Sequence, residues 1–389
     1  MNRDILSIKS SASIDLMAKA KFLKDSGIDI VSLAGGEPDF DTPRAIRDQA
    51  ISEIEKGNTH YAVGNGILPL RQRIAEKLAL DNGIYLDASE IVVTPGAKMA
   101  IYLAVRAVIQ PGDEVLIPTP SWVSYTEIVR LASGIPVEVP LDVETSYCIT
   151  ESILDRYTTK NTRMLIICTP NNPTGRVLNE QEIREIISYS KKRNIVIISD
   201  EVYEKILYCR DFYSMASYSE ISDKVITVNG FSKAYAMTGW RLGYVAAPKK
   251  YIDIISKLYA HTITGTSPFI QEAAMVAFDC EMDVQRMLVE YRNRKEYFVG
   301  ELQKIKGISV IEPEGAFYAW CKFDIDGDIA MELLEQAKVV AVPGKAYGRN
   351  CEKYIRFSFA NSMKDLQEAI KRIKIYMSTK KERVEIENI

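Results

Sequence analysis

Lys233 and Arg241 stand close together in the run Val228–Tyr244, VNGFSKAYAMTGWRLGY, where Gly, Ser and one Lys interrupt a sequence otherwise suited to two core strands. Apolar segments at 224–228 and 239–246 flank them and predict a loop at a sheet edge for Lys233. A partly desolvated amine has its charged form disfavoured, which lowers its pKa and suits it to Schiff-base chemistry with a carbonyl. A nearby arginine offers the planar fork that fits a phosphate. The same two residues also suit a solvated loop lysine beside a structural arginine, so other segments must decide.

Several other residues bear on that choice. Gly96 separates a predicted strand at 91–94 from an apolar helix that opens with Ala97 and Lys98 and runs to about 109. Strand, glycine and helix N-terminus together present free backbone N–H groups to an anion. Trp122 lies in Ser121–Tyr125, Asn172 in Asn171–Gly175, and Asp200 ends an apolar strand with Tyr203 just beyond it. Gly36, in AGGEPDF, permits either a tight bend or the close approach of a ligand to the backbone. Tyr61, in the Gly/Asn-rich HYAVGNG, reads by itself as a packing residue.

The elements that position these residues follow from periodicity. Helices are expected at 15–25, 43–56 and 69–80, and a strand at 28–34. From Asp113 the pattern alternates: strands at 113–117, 135–139, 162–168 and 195–199, helices at 122–132, 150–157 and 179–193. Such alternation predicts a mostly parallel sheet with helices on both faces, and ligands in such sheets collect beyond the carboxyl ends of the strands. That rule brings Trp122, Asn172, Asp200 and Lys233 to one crevice. Beyond Ala246, helices at 248–260, 268–279 and 283–303 lead to strands at 308–311 and 316–323. A helix at 328–337, short strands at 339–342 and 354–359, and a closing helix at 363–377 complete an α+β pattern. The tail KKERVEIENI is expected to fray.

Composition limits the function. A chain of 389 residues suits two domains. Its 49 basic and 52 acidic residues are mixed in order, which gives no electrostatic reason to bind nucleic acid or an anionic membrane. Six scattered cysteines form no CxxC pair, and two histidines, His60 and His261, leave little room for a metal site or a Ser/His/Asp triad. No apolar stretch approaches the roughly 20 residues of a membrane span. A soluble protein of the reducing cytoplasm, acting on small molecules, is the expectation.

Pyridoxal phosphate needs this joint set: a lysine for its aldehyde, a helix N-terminus and arginine for its phosphate, and a carboxylate for its pyridinium nitrogen. The runs AGGEPDF, PSWVSY, NNPTG, SDEVY, SKAYAMTGWRLGY, GAFY and YIRFSFA span nearly the whole chain. In order and spacing they resemble the class I/II aminotransferases of fold type I, near the aspartate aminotransferase subgroup common in bacteria and archaea. The resemblance implies a large domain, 48–285, with a mostly parallel seven-stranded sheet, and a smaller α+β domain formed by 1–47 and 286–389. It also implies a homodimer with shared active sites and ping-pong transfer of an amino group to a 2-oxo acid.

The residue roles implied by the resemblance are specific. Lys233 would be the Schiff-base lysine and move a proton between substrate Cα and cofactor C4′; Asp200 would pair with the pyridinium nitrogen; Asn172 and Tyr203 would bond the phenolate oxygen. Trp122 would stack on the ring. Gly96, Ala97, Lys98, Arg241 and Ser232 would hold the phosphate, with Tyr61 reaching that of the neighbouring subunit. Arg356, aided by the Gly36 backbone, Trp122 and Asn172, would bind the substrate α-carboxylate. Lys98 and the hydroxyls Ser11 and Ser13 would meet the distal carboxylate of aspartate or glutamate, unless Lys98 is an ordinary first-turn lysine. Aromatic amino acids or prephenate are the second substrate reading. Two further rivals are C–S lyase or aminocyclopropane carboxylate synthase chemistry, and a PLP-binding regulatory module, which would carry a basic DNA-binding domain ahead of this segment.

Overall fold

The computed structural model describes residues 12–62, 64–208 and 211–387, with the side chains of 12–17 and 381–387 left aside. Its strands are, in chain order, β1 (Val31–Ser32), β2 (Ile91–Thr94), β3 (Glu114–Thr119), β4 (Ile135–Pro140), β5 (Thr162–Cys168), β6 (Val196–Asp200), β7 (Val225–Gly230) and β8 (Gly243–Ala246). They continue with β9 (Ile308–Ile311), β10 (Tyr318–Phe323), β11 (Val339–Val340), β12 (Val342–Pro343) and β13 (Tyr354–Ser358).

A seven-stranded sheet runs in the order β2-β8-β7-β6-β5-β3-β4, with β8 antiparallel to both neighbours and the other pairings parallel. Apolar residues stand at successive positions because each face of the sheet is covered. Val115 and Ile117 of β3 and Met164 and Ile166 of β5 pack with the helices Ala97–Val108, Ser124–Leu131 and Lys249–Thr262. Leu116, Leu165 and Ile167, pointing the other way, pack with Leu68–Asn82, Glu180–Arg193 and Glu281–Gln303. The strand order reverses between β3 and β5, and the crevice beyond their carboxyl ends is where such a sheet receives a ligand.

Register then sets out the site. Cys168 pairs with Asp200 and Asp200 with Val228, so three strand ends lie side by side. A second sheet, β12-β13-β10-β9, carries Arg356 opposite Trp320 and Val342. The short parallel pair β1–β11 ties the segment before Ala34 to residues 339–340.

Several expectations change. Lys233 follows an interior strand of the sheet, not an edge strand, because β8 turns back along β7 and β2 pairs outside it. The segment expected to be extended from 239 becomes β8 only at Gly243, after left-handed residues at Ala236 (φ 51°) and Arg241 (φ 53°). The strand expected at 28–34 shortens to two residues, Val31 and Ser32, which pair in parallel with β11. Helix 328–337 is α-helical over Ile329–Glu332 and π-helical over Leu333–Ala337, ending at left-handed Lys338. The strand expected at 339–342 divides between two sheets. The last helix, Met363–Glu387, continues through most of the tail expected to fray.

Gly230 and Gly243 face each other across β7 and β8. A Cβ at Gly243 would stand 2.6 Å from Ala97 N and 2.8 Å from the Gly96 carbonyl carbon. The absence of side chains is what lets the start of the Ala97–Val108 helix rest on the sheet. Gly243→Ala should therefore lower stability by about 1–3 kcal/mol through overpacking, whereas Gly239→Ala, with open space around the added carbon, should change it by less than about 0.5 kcal/mol. Urea unfolding midpoints check this; equal effects would remove the steric argument.

Candidate active site

The strand ends, the Lys233 loop and the second sheet enclose a cavity of about 360 Å³. Of the residues singled out from the sequence, Gly36, Ala97, Lys98, Trp122, Asn172 and Asp200 line it. So do Tyr203, Ser232, Lys233, Arg241 and Arg356.

Lys233 extends its amine to the Gly36 carbonyl, and the ammonium position lies 5.8 Å from the Tyr203 ring centroid and 5.9 Å from that of Phe317. Burial pushes its pKa down to about 8; Glu37 and Asp200 oppose the shift, while Arg356 and Arg241 add to it. A fraction of the amine is thus neutral, and able to act as a nucleophile or base, near neutral pH.

Asp200 is only 3% exposed, and desolvation raises its pKa to about 6. The Tyr125 hydroxyl donates to its carboxylate at 2.6 Å and the Val202 N–H at 3.4 Å, both opposing that rise. A buried carboxylate lining a cavity is a receptor for a cationic or protonated ring nitrogen.

Next to the cavity-lining residues Ala97 and Lys98, Gly96 caps the Ala97–Val108 helix with φ 79° and no side-chain capping bond. A Cβ on Gly96 would meet the Arg241 guanidinium at 2.6 Å, so arginine and helix N-terminus form one cradle. Arg241 is held there by donation to the Thr238 carbonyl, 2.9 Å away. The helix dipole, the uncapped N–H groups and the guanidinium all favour a dianion.

Arg356 is 4% exposed, and among the described residues it has no ion pair. It donates to Ala34 O at 2.7 Å, to Gly35 O at 3.3 Å and to Asn172 Oδ1 at 3.2 Å. Tyr318 and Tyr347 place ring centroids 4.3 and 5.5 Å from its guanidinium carbon. Its Nε is a buried donor without a partner among the described residues. A cation so placed has capacity for an anionic ligand.

Lys98 stacks its ammonium 4.9 Å from the centroid of Trp122, and burial, then Arg241, lowers its pKa. It is therefore a cavity residue as well as a first-turn helix residue. Tyr61 is not brought into the cavity: it is 93% exposed and borders a separate hollow with Thr266 and Pro268. Ser11 and the Ser13 side chain lie outside the described residues. Sequence reasoning missed Tyr125 and Tyr318. Tyr125 sits three residues after Trp122, a spacing that puts both rings on one side of a helical turn, where they pack edge to face at 5.3 Å. Tyr318 ends the GAFY run but its partners come from distant segments, leaving no local signal.

Residues 28–373 match the family model described as aminotransferase class I and II. The chain is 41% identical over 379 residues to the Aquifex aeolicus protein named "Probable aspartate/prephenate aminotransferase", covering 94% of this chain and 96% of that one. It is 40% identical over 361 residues to aromatic-amino-acid aminotransferase 2 of Thermococcus litoralis, covering 90% and 92%. The structure of the Thermus thermophilus aspartate aminotransferase with maleate superposes with a TM-score of 0.93 at 33% identity, covering 97% and 99%.

The charges in the cavity carry a stability consequence. The folded pKa of Asp200 lies above its ordinary value of 3.8, so the stability linked to its proton is complete below that value and lost as pH rises through about 6. Lys233 acts oppositely, its contribution being present above 10.5 and lost as pH falls through about 8. In the ligand-free protein, Asp200→Asn should be about 1–3 kcal/mol more stable than the parent at pH 7.5 and nearly equal to it at pH 4. Urea unfolding at the two pH values measures the difference, and a gain independent of pH would contradict it.

Proposed function

The chain belongs to the class I and II aminotransferases, and from that membership we propose that it moves the amino group of L-aspartate or L-glutamate to a 2-oxo acid with pyridoxal 5′-phosphate as cofactor. The observation that carries the reading is that Ala97 and Arg241, which border the Gly96 cradle, the buried Asp200 carboxylate and the Lys233 amine all line one cavity. These groups fit the phosphate, the ring nitrogen and the aldehyde of that cofactor. When bound, it supplies a carbonyl that joins amines and a ring that accepts the electron pair left as a Cα–H bond breaks.

The protein's own groups do the rest. Ala97 and Lys98 N–H groups, Arg241 and Ser232 hold the phosphate; Asp200, oriented by Tyr125, keeps a proton on the ring nitrogen; Asn172 and Tyr203 bond the phenolate oxygen; Trp122 covers the ring. Arg356 takes the substrate α-carboxylate, fixing the Cα–H bond in direction. Lys233 Nζ, with its depressed pKa, removes the Cα proton and holds it for return. We further propose that residues 48–285 form the cofactor-binding domain and that 1–47 and 286–389 form the smaller one. The exposed Tyr61 supports a homodimer in which it serves the partner's phosphate site. A cytoplasmic location agrees with the five described cysteines being free and with no described helix being long and apolar enough to cross a membrane.

Lys98 favours dicarboxylic substrates, because an ammonium in the cavity can pair with a distal carboxylate that aromatic amino acids lack. The names of the relatives keep aromatic amino acids and prephenate as a second reading.

Incubation with L-aspartate and 2-oxoglutarate should produce glutamate; release of ammonia and pyruvate from a cysteine conjugate without amino transfer would overturn the reaction class. Borohydride reduction and peptide mapping should place the pyridoxyl group on Lys233, and its recovery on another lysine would refute that role. Lys98→Ala should lower kcat/KM for aspartate by about 10- to 100-fold, the worth of a charged hydrogen bond, and for phenylalanine by no more than about threefold. Equal losses would remove Lys98 from substrate selection.

A further inference from the structure

Tyr318 has no role in the preceding account, yet it touches two groups that do. It is fully buried on β10, opposite Ser358 and two residues along β13 from Arg356. Its ring face lies 4.3 Å from the Arg356 guanidinium carbon. Its hydroxyl stands 2.7 Å from that of Tyr203. Gly36 packs beside the same oxygen, where an added Cβ would come within 3.3 Å.

Burial raises the pKa of both phenols, so each keeps its proton at neutral pH. Only one of the two protons can occupy the bond between them. When Tyr318 supplies it, the Tyr203 proton is left for a ligand in the cavity; when Tyr203 supplies it, the ligand loses a donor. We propose that Tyr318 is a positioning residue that donates to Tyr203, turning the Tyr203 proton toward the cofactor oxygen, while its ring face holds Arg356 in place for the substrate carboxylate. One side chain thus sets a cofactor contact through its hydroxyl and a substrate contact through its face. The inference rests on the reading above, in which Tyr203 bonds the phenolate oxygen of pyridoxal phosphate.

The two contacts are separable. A donor chain strengthens its last bond, and a well-bonded phenolate oxygen has less hold on the proton of the adjacent lysine-bound nitrogen. Tyr318→Phe removes the hydroxyl and keeps the ring, so the pH at which that nitrogen loses its proton should rise. The charged groups facing Lys233, namely Glu37, Asp200, Arg356 and Arg241, are the same in parent and variant.

The test uses the cofactor-loaded protein and two readouts besides turnover: the pH midpoint of cofactor absorbance, and the Kd of succinate, a non-reactive dicarboxylate. Tyr318→Phe should raise the midpoint by about half a unit to one unit and leave the succinate Kd within about twofold. Tyr318→Leu should raise the midpoint similarly and weaken succinate by about 10-fold, within the range of a desolvated cation–π contact. An unchanged or lowered midpoint in Tyr318→Phe, or parental succinate affinity in Tyr318→Leu, would overturn the proposal. Parent protein that neither develops the absorbance nor is labelled at Lys233 would instead defeat the cofactor reading, and this inference with it.

Discussion

A guanidinium buried without a carboxylate is the constraint on which the arrangement of the cavity depends. Removing a charge from water is costly unless hydrogen bonds and polarizable neighbours replace the lost hydration. Arg356 obtains that replacement from the carbonyls of Ala34 and Gly35, the amide oxygen of Asn172 and the rings of Tyr318 and Tyr347. Those partners come from the N-terminal segment, the loop after β5, and the second sheet with its β12–β13 connection. Satisfying one cation therefore draws three distant parts of the chain around one volume, and its Nε stays a buried donor with no partner among the described residues.

The cradle beside Arg241 is made by subtraction. Gly243 lacks the side chain that would push the start of the Ala97–Val108 helix off β8, Gly230 lets β7 lie close against Leu242 and Gly243, and Gly96 leaves room for the Arg241 guanidinium beside that helix N-terminus. Lys233 and Asp200 line the same cavity in surroundings that shift their pKa values toward each other, to about 8 and about 6. A lysine that can lose its proton and a carboxylate that responds to a neighbouring cation are both useful to proton transfer, and both result mainly from desolvation.

Much of this was legible in the chain because strand alternation and the rule of carboxyl ends act locally. Trp122, Asn172, Asp200 and Lys233 each follow an apolar run, and the parallel sheet does the rest. The antiparallel return of β8 was not legible: an apolar run carries no direction, and the left-handed residues that reverse it, Ala236 and Arg241, are not glycines. Tyr125 and Tyr318 were invisible as site residues for a related reason. A tyrosine reads as core packing until the partner of its hydroxyl is known, and Asp200 and Tyr203 lie 75 and 115 residues away from them. Tyr61 shows the converse, since its exposure gives its position without giving it a partner.

The parallel pair β1–β11 has a temporal consequence. Val31–Ser32 leaves the ribosome early, yet the strand it pairs with is Val339–Val340, and the carbonyls of Ala34 and Gly35 meet Arg356 only after most of the chain has been made. The seven strands of the central sheet all end by Ala246, so that sheet has its full complement while the nascent N-terminal segment still waits for its partners. The half of the pocket that would recognise a carboxylate is consequently the last to be assembled during synthesis.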